Sequence, residues 1–488
     1  MKKKMLAVGL IVTTLGMTLV GCSGTKKEEA ETTGTTETTQ VSGEVKKPEK
    51  IKVMYSQAFL PEDGADEWAK EYTDKTGIEL ELQYVNVNEY AQKLELAFAA
   101  GEAPDVFTIA DGKLPIYAAQ GALVDMTSMI GSSEIMQGID TKVWDSIEIS
   151  DKLYGAPLER GNGPVTYMRK DWLDKLGMEV PTNYAEYIAA LRGFKTLGPD
   201  VIPFTAAGLV DRQAEMYLAD FYQDASPEFV NVDGKWVDGM TQPNMEAALI
   251  RMQDAYAEGL MDLEVVTNKT STCRDKWYAG NVGTFTYWAG NWNVSLEDRL
   301  KSTNPEAEVV ALPAIEETQY LERVPVVLGI SSANKNPEGV FKYFIEYMQD
   351  GGEGSVLFQH GVENIHYAKE GDNIVHLPKL SKPDELIEKA FVTPALSLVE
   401  TTIDGYNYEL DERMINSIAI LAEDGKQMTC IPVSKTLGKI NSDLLALREK
   451  TVSSVVLGNT TYADAMAKYN AEAENLGMAQ IIEELNAK

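Results

Sequence analysis

The residues best placed to do chemistry lie in the run Thr286-Tyr287-Trp288-Ala289-Gly290-Asn291-Trp292, three aromatics and an amide around one glycine at the end of an expected strand. Aromatic faces pack on the flat C–H patches of sugar rings, while amides and carboxylates satisfy the hydroxyls. Tyr287, Trp288, Asn291 and Trp292 are therefore candidate ligand contacts, with core packing of the indoles as the competing reading. A second run, Pro157-Leu158-Glu159-Arg160-Gly161-Asn162-Gly163, is glycine-rich, and its Arg160 and Asn162 suit a hinge, a site or both. Tyr55 and Asp111 complete the candidates, because each stands at the carboxyl end of an expected strand.

Catalytic signatures are missing: there is no Walker-type loop, no His-Glu-x-x-His, no Gly-x-Ser-x-Gly and no Cys-x-x-Cys. His360, His366 and His376 are spaced by six and ten residues, which suits loop or solvated histidines better than a zinc site. No catalytic residue, metal or cofactor is expected. Carboxylate pairs are too frequent among 75 acids to exclude a glycosidase dyad by inspection.

Against those 75 acids stand 44 basic residues in 488, a formal charge of −31, so the averaged field repels nucleic acid. A hydrophobic fraction of 44% and a charged fraction of 24% describe a globular chain with more than one core. Three cysteines, one of them Cys22, leave at most one bridge for the body, between Cys273 and Cys430, and sequence leaves that pairing open.

Lys2, Lys3 and Lys4 precede an apolar run over residues 5–20, short of the roughly 20 residues a spanning helix needs but suited to a signal-peptide core. The run ends Leu19-Val20-Gly21-Cys22, which resembles the lipobox of bacterial lipoproteins, with Cys22 as the lipidated residue. Residues 1–21 read as the signal peptide, and their removal takes away three lysines and no acid, leaving −34. Residues 22–50 carry almost nothing apolar and read as the anchored cysteine and a flexible tether with a reach of about 30 Å.

The elements that must position the candidates follow from periodicity. Residues 51–55, 78–85 and 106–110 read as strands, separated by helices over 66–75 and 88–100. That alternation implies right-handed crossovers in a mainly parallel sheet, with ligands beyond the carboxyl ends of the strands. A second α/β region starts near Gly161, with helices over 170–176, 184–194 and 245–256 and strands over 202–205, 282–287 and 309–312. A strand over 324–330 and a helix over 337–348 follow, and the last hundred residues read as mainly helical.

Several segments together resemble the extracellular solute-binding proteins of ATP-driven importers, specifically their carbohydrate-binding, maltose-binding-protein-like group. They are Glu71-Tyr72-Thr73-Asp74-Lys75-Thr76-Gly77-Ile78, Gly101-Glu102-Ala103-Pro104-Asp105-Val106-Phe107 and Tyr117-Ala118-Ala119-Gln120-Gly121-Ala122-Leu123-Val124-Asp125. Lys152-Leu153-Tyr154-Gly155-Ala156-Pro157, Tyr167-Met168-Arg169-Lys170-Asp171-Trp172 and Tyr278-Ala279-Gly280-Asn281 continue the family's order.

The resemblance implies an α/β, two-lobed periplasmic-binding-protein-like fold of type II, each lobe a mainly parallel sheet flanked by helices, with hinge crossovers between. It suggests residues 51–160 and 322–385 for the first lobe, and 161–321 and 386–488 for the second. It maps sugar contacts to Asp111, to Arg160 or Asn162, and to Trp288 or Trp292. Arg160, Gly161 and Gly163 depart from the more usual apolar residues of the family there.

The expected protein is thus a monomeric lipoprotein on the extracellular face of the bacterial cell membrane. It would capture a carbohydrate, on this reading an oligosaccharide, and deliver it to the permease subunits of an ABC transporter. The alternatives are an exported carbohydrate-active enzyme, or a binder of a peptide or an acidic solute, whose carboxylate Arg160 would suit.

Overall fold

The computed structural model describes residues 45–56, 61–85, 87–110, 112–210, 212–382 and 389–487. Cys22, the expected signal peptide, most of the tether and Asp111 lie outside the described residues.

In chain order the strands begin with β1 (Lys50–Ser56), β2 (Glu79–Val85), β3 (Val106–Ile109), β4 (Ala156–Pro157), β5 (Pro164–Arg169), β6 (Ile202–Thr205), β7 (Phe229–Val232) and β8 (Lys235–Asp238). They continue with β9 (Val282–Trp288), β10 (Val309–Ala311), β11 (Tyr320–Glu322), β12 (Val327–Ile330), β13 (Tyr367–Glu370), β14 (Asn373–His376) and β15 (Gly425–Gln427). Two sheets organise the body, one ordered β2-β1-β3-β12-β4 and the other β10-β5-β9-β6.

Both sheets are mixed, which corrects the mainly parallel arrangement expected. Strands β2, β1 and β3 are parallel, because the helices Ala65–Thr76 and Val87–Ala100 carry the chain back between them. Strand β12 is entered from β11, which pairs with β15 outside this sheet, rather than through a helix on its own, and it runs antiparallel to both β3 and β4. For the same reason β5, entered from β4, is antiparallel to β9 and β10; only β6 and β9 are parallel in the second sheet.

Each sheet has its own core. Strands β1, β3 and β12 bury Ile51, Val53, Val106, Phe107 and Leu328 together with Trp68, Phe344 and Phe358, and this core also takes in Ala390, Phe391 and Val392. The second sheet is covered by two apolar clusters, one reaching Val452 and Tyr469 in the C-terminal helices and the other holding Trp277, Phe285 and Tyr287. The helix ends follow the sequence signals. Gly77, at φ +70°, stops the first helix, and the Asn183 side chain accepts the Glu186 N–H at 3.0 Å to start the helix Tyr184–Lys195.

Cys273 is not in a disulfide: it is buried in the second lobe, near Thr205, while Cys430 packs against the first core. Burial pushes the Cys273 thiol up to about 11, so it is a protonated, unreactive side chain at neutral pH. His360 and His366 are buried, not solvated as expected. His360 and His376 share a ring-to-ring hydrogen bond of 2.9 Å, and burial drives His376 down to about 4, which keeps this pair neutral.

The chain crosses between the lobes in adjacent segments. Residues 158–163 lead from β4 to β5, and residues 323–326 lead back from β11 to β12. They lie antiparallel, with the Leu158 N–H on the Val326 carbonyl at 2.9 Å and the Arg323 N–H on the Asn162 carbonyl at 3.0 Å. A third crossing follows Tyr408, which packs on His360 and His376, and ends at Arg413, paired to Asp298 at 2.8 Å.

Candidate functional site

Between the two cores lies a cavity of about 410 Å³, within the roughly 300–1,000 Å³ range of small-molecule sites. On the first-lobe side it is walled by Tyr55, Tyr90, Thr108 and Tyr117, and on the second-lobe side by Trp288, Asn291 and Trp292. The crossing segments supply Glu159, Asn162 and Arg323.

Each wall residue is held by the element that carries it. Tyr55 lies at the carboxyl end of β1; its hydroxyl donates to the Phe391 carbonyl at 2.6 Å and its ring meets Phe391 edge-on at 4.2 Å. Tyr90 donates to the Thr108 carbonyl at 2.9 Å, at the end of β3. Strand β9 ends at Trp288, Gly290 turns the chain at φ +74°, and the helix Asn291–Thr303 begins at once, so Trp288 and Trp292 both reach the cavity. A residue with a side chain is strained at that φ, which is why glycine stands there.

Asn162 is buried and braces the junction: its Oδ1 accepts the Gly163 N–H at 2.9 Å and its Nδ2 lies 3.4 Å from the Ala289 carbonyl. Gly161 and Gly163 allow the crossings to touch. A Cβ on Gly161 would lie 2.5 Å from the Arg323 carbonyl oxygen, and one on Gly163 2.3 Å from that of Leu321.

The electrostatics centre on Glu159 and Arg323. Glu159 accepts the Thr393 N–H at 3.1 Å, and burial raises its carboxyl above the usual range against the pull of Arg323. The Arg323 guanidinium lies 4.8 Å from the centre of the Trp288 ring, in cation–π range, and its Nε is buried without a hydrogen-bond partner. Thr108 Oγ1 is likewise buried on the wall with no partner.

Of the residues singled out from sequence, Tyr55, Asn162, Trp288, Asn291 and Trp292 line this one cavity. Tyr287 does not. Alternation along β9 turns it to the opposite face, where it stacks on Phe285 at 4.9 Å and meets Trp292 edge-on at 5.2 Å. Arg160 does not line it either; it borders a narrow crevice with Glu322, Ile418 and Leu421, for the same reason of alternation along the crossing. Sequence reasoning missed Glu159, Arg323, Tyr90, Tyr117 and Lys113. Glu159 and Tyr117 sat in segments already singled out, and the lobe boundary expected at 321/322 was the available signal for Arg323. Among the described residues, no group of three or more His, Cys, Asp or Glu side chains is arranged to hold a metal ion. No described helix is long and apolar enough to cross a membrane.

Residues 57–350 match the family described as bacterial extracellular solute-binding protein. This chain belongs to that family. It is a family of non-catalytic solute-binding proteins, which removes the enzyme alternative. The diacetylchitobiose binding protein DasA of Streptomyces coelicolor is 26% identical over 251 residues, 51% of this chain and 55% of that protein, so the match spans about half of that relative. The polygalacturonan/rhamnogalacturonan-binding protein YtcQ of Bacillus subtilis is 24% identical over 387 residues, 74% of each chain. Among solved structures, an HMO-binding solute-binding protein from Bifidobacterium longum infantis superposes with a TM-score of 0.67 at 17% identity, covering 90% of this chain and 98% of that one. The alginate-binding protein AlgQ2 gives 0.63 at 18% identity, covering 90% and 97%. These structures share the two-lobed fold with the solute-binding protein described here.

Proposed function

We propose that this chain is the carbohydrate receptor of an ABC importer, held on the outer face of the cell membrane by a lipid on Cys22. It captures an oligosaccharide between its lobes and presents it to the permease. The observation that carries this reading is the wall of the interlobe cavity, where Trp288, Trp292, Tyr55 and Tyr90 meet buried polar groups of Asn162, Arg323 and Thr108. Aromatic faces suit the apolar side of a sugar, and the buried Arg323 Nε and Thr108 Oγ1 can take partners from its hydroxyls. Relatives described as binding diacetylchitobiose, polygalacturonan or rhamnogalacturonan support a saccharide ligand. The three crossings support a hinge, and ligand then shifts the population of closed protein that the permease reads.

Calorimetry of the mature protein against a broad panel of neutral and acidic oligosaccharides tests the ligand class; heat from none of them would sink it. Anchoring is tested separately, because Cys22→Ser is expected to move the protein from the membrane fraction to the medium.

A further inference from the structure

Among the described residues lining the cavity, cationic side chains outnumber carboxylates. Arg323 offers a guanidinium with five N–H groups, and its Nε is buried with no hydrogen-bond partner among the described residues. Lys113 adds an ammonium to the same wall. Glu159 is the single carboxylate among the described lining residues, and one of its oxygens is already taken by the Thr393 N–H. Asn162 has both amide atoms engaged with the backbone. The wall has neutral acceptors, among them Asn291 and the hydroxyls of Thr108 and Thr393, but none of these supplies a counter-charge to the Arg323 guanidinium. The cavity suits a ligand that brings its own negative oxygens. The contrast with the rest of the molecule is sharp, since acids outnumber basic residues 75 to 44 overall while the described cavity wall has two cations and one acid.

We propose that the solute is an acidic oligosaccharide, with Arg323 receiving a uronate carboxylate beside the face of Trp288. The proposal rests on the carbohydrate reading above and narrows it. A carboxylate matches the fork of the guanidinium bidentately, and the indole leaves the guanidinium edge available while shielding its face from water. Burial of the Arg323 Nε strengthens the pairing, because the group gains a partner in exchange for no lost hydrogen bond. Lys113 stands on the same wall for a second acidic residue of the chain. Thr108 Oγ1 remains for a hydroxyl.

The test is calorimetry of the mature protein with short galacturonate, alginate and hyaluronan oligomers, each beside its methyl-esterified form, and with chitin and xylan oligomers of equal length. At least one free acid is expected to bind about ten- to hundredfold more tightly than its ester, the worth of one charge-assisted hydrogen-bonded pair. Arg323→Gln is expected to collapse that acid-to-ester ratio to near unity, and Arg323→Lys to keep part of it. Melting curves of both variants separate misfolding from lost recognition. Esters binding as well as acids, or neutral oligomers binding while every uronate fails, would overturn the acidic assignment and leave the carbohydrate reading standing. Failure of all the glycans would overturn both.

Discussion

The two sides of the ribbon formed by the crossing segments carry the same pair of residue types. Glu159 and Arg323 face the cavity, whereas Arg160 and Glu322, each one position away, face the narrow crevice behind it. Antiparallel pairing with a two-residue period makes this unavoidable, because neighbours on an extended chain point to opposite sides. On the cavity side the arginine lies over an indole with its Nε unpartnered, so it is poised to receive a ligand. On the crevice side Arg160 offsets the rise that burial imposes on Glu322, and Leu396, Ile418 and Leu421 close the space. Residue type alone does not make a site; parity along the strand decides which acid–base pair lines the cavity and which lies in the crevice behind it.

The strongest way to break that contrast is Trp288→Ala. The ring is 9% exposed and carries both wall and core contacts, so the variant is expected to lose about 3–5 kcal/mol of stability, read by denaturant unfolding, along with ligand binding. Gly161→Ala attacks the ribbon itself. Its Cβ meets a backbone oxygen at 2.5 Å, and overpacking is expected to cost about 1–3 kcal/mol and to weaken binding without touching a ligand contact. The two arginines sharpen the comparison most directly. Arg323→Gln is expected to weaken binding of an acidic solute about ten- to hundredfold, and Arg160→Gln to change it by no more than about twofold; equal losses would erase the distinction between the faces.

The smallest expected effect is one of pH. Glu159 has its carboxyl raised by burial, so its ionisation disfavours the folded protein, and this contribution grows as pH rises above the usual carboxylate value of 4.5 until the buried group itself has titrated. Facing it are Arg323, whose cation opposes the shift, the Thr393 N–H, and Tyr55, whose own ionisation Glu159 helps to suppress. Affinity for a uronate is therefore expected to rise as pH falls across the titration of Glu159, until the ligand itself protonates. Titration calorimetry at several pH values checks this, and Glu159→Gln should flatten the profile while Glu322→Gln leaves it unchanged.

Much of the fold was legible because it is written in local periods. The helix stopped by Gly77, the Asn183 cap, the three opening strands and the helical C-terminus all follow from residues close in sequence. Sheet polarity was not legible, since the direction of β5 and β12 depends on their arriving from the other lobe rather than on anything within the strands. The cavity was half legible. Trp288 and Trp292 stood out by composition, but Tyr287 lies between core and buttress because β9 is buried on both faces, which removes the alternation that would have told its side. For Arg323 the one signal was the lobe boundary expected beside it; its place on the cavity comes from an antiparallel neighbour about 160 residues earlier in the chain, a separation that no local rule reaches.

Two hydrogen bonds of long sequence separation bear on how the protein is made. The Tyr55 hydroxyl rests on the carbonyl of Phe391, and Trp68 donates its indole N–H to the carbonyl of Leu357, so the amino-terminal lobe is finished by residues that leave the ribosome some three hundred positions later. Contacts of such long sequence separation form slowly, because the intervening chain must be looped before they repay its lost freedom. Cysteine labelling or limited proteolysis of stalled chains is expected to find a nascent polypeptide of this design loose through most of its synthesis. That is the condition in which a secretory channel can thread it, and maturation into a receptor then waits for the far side.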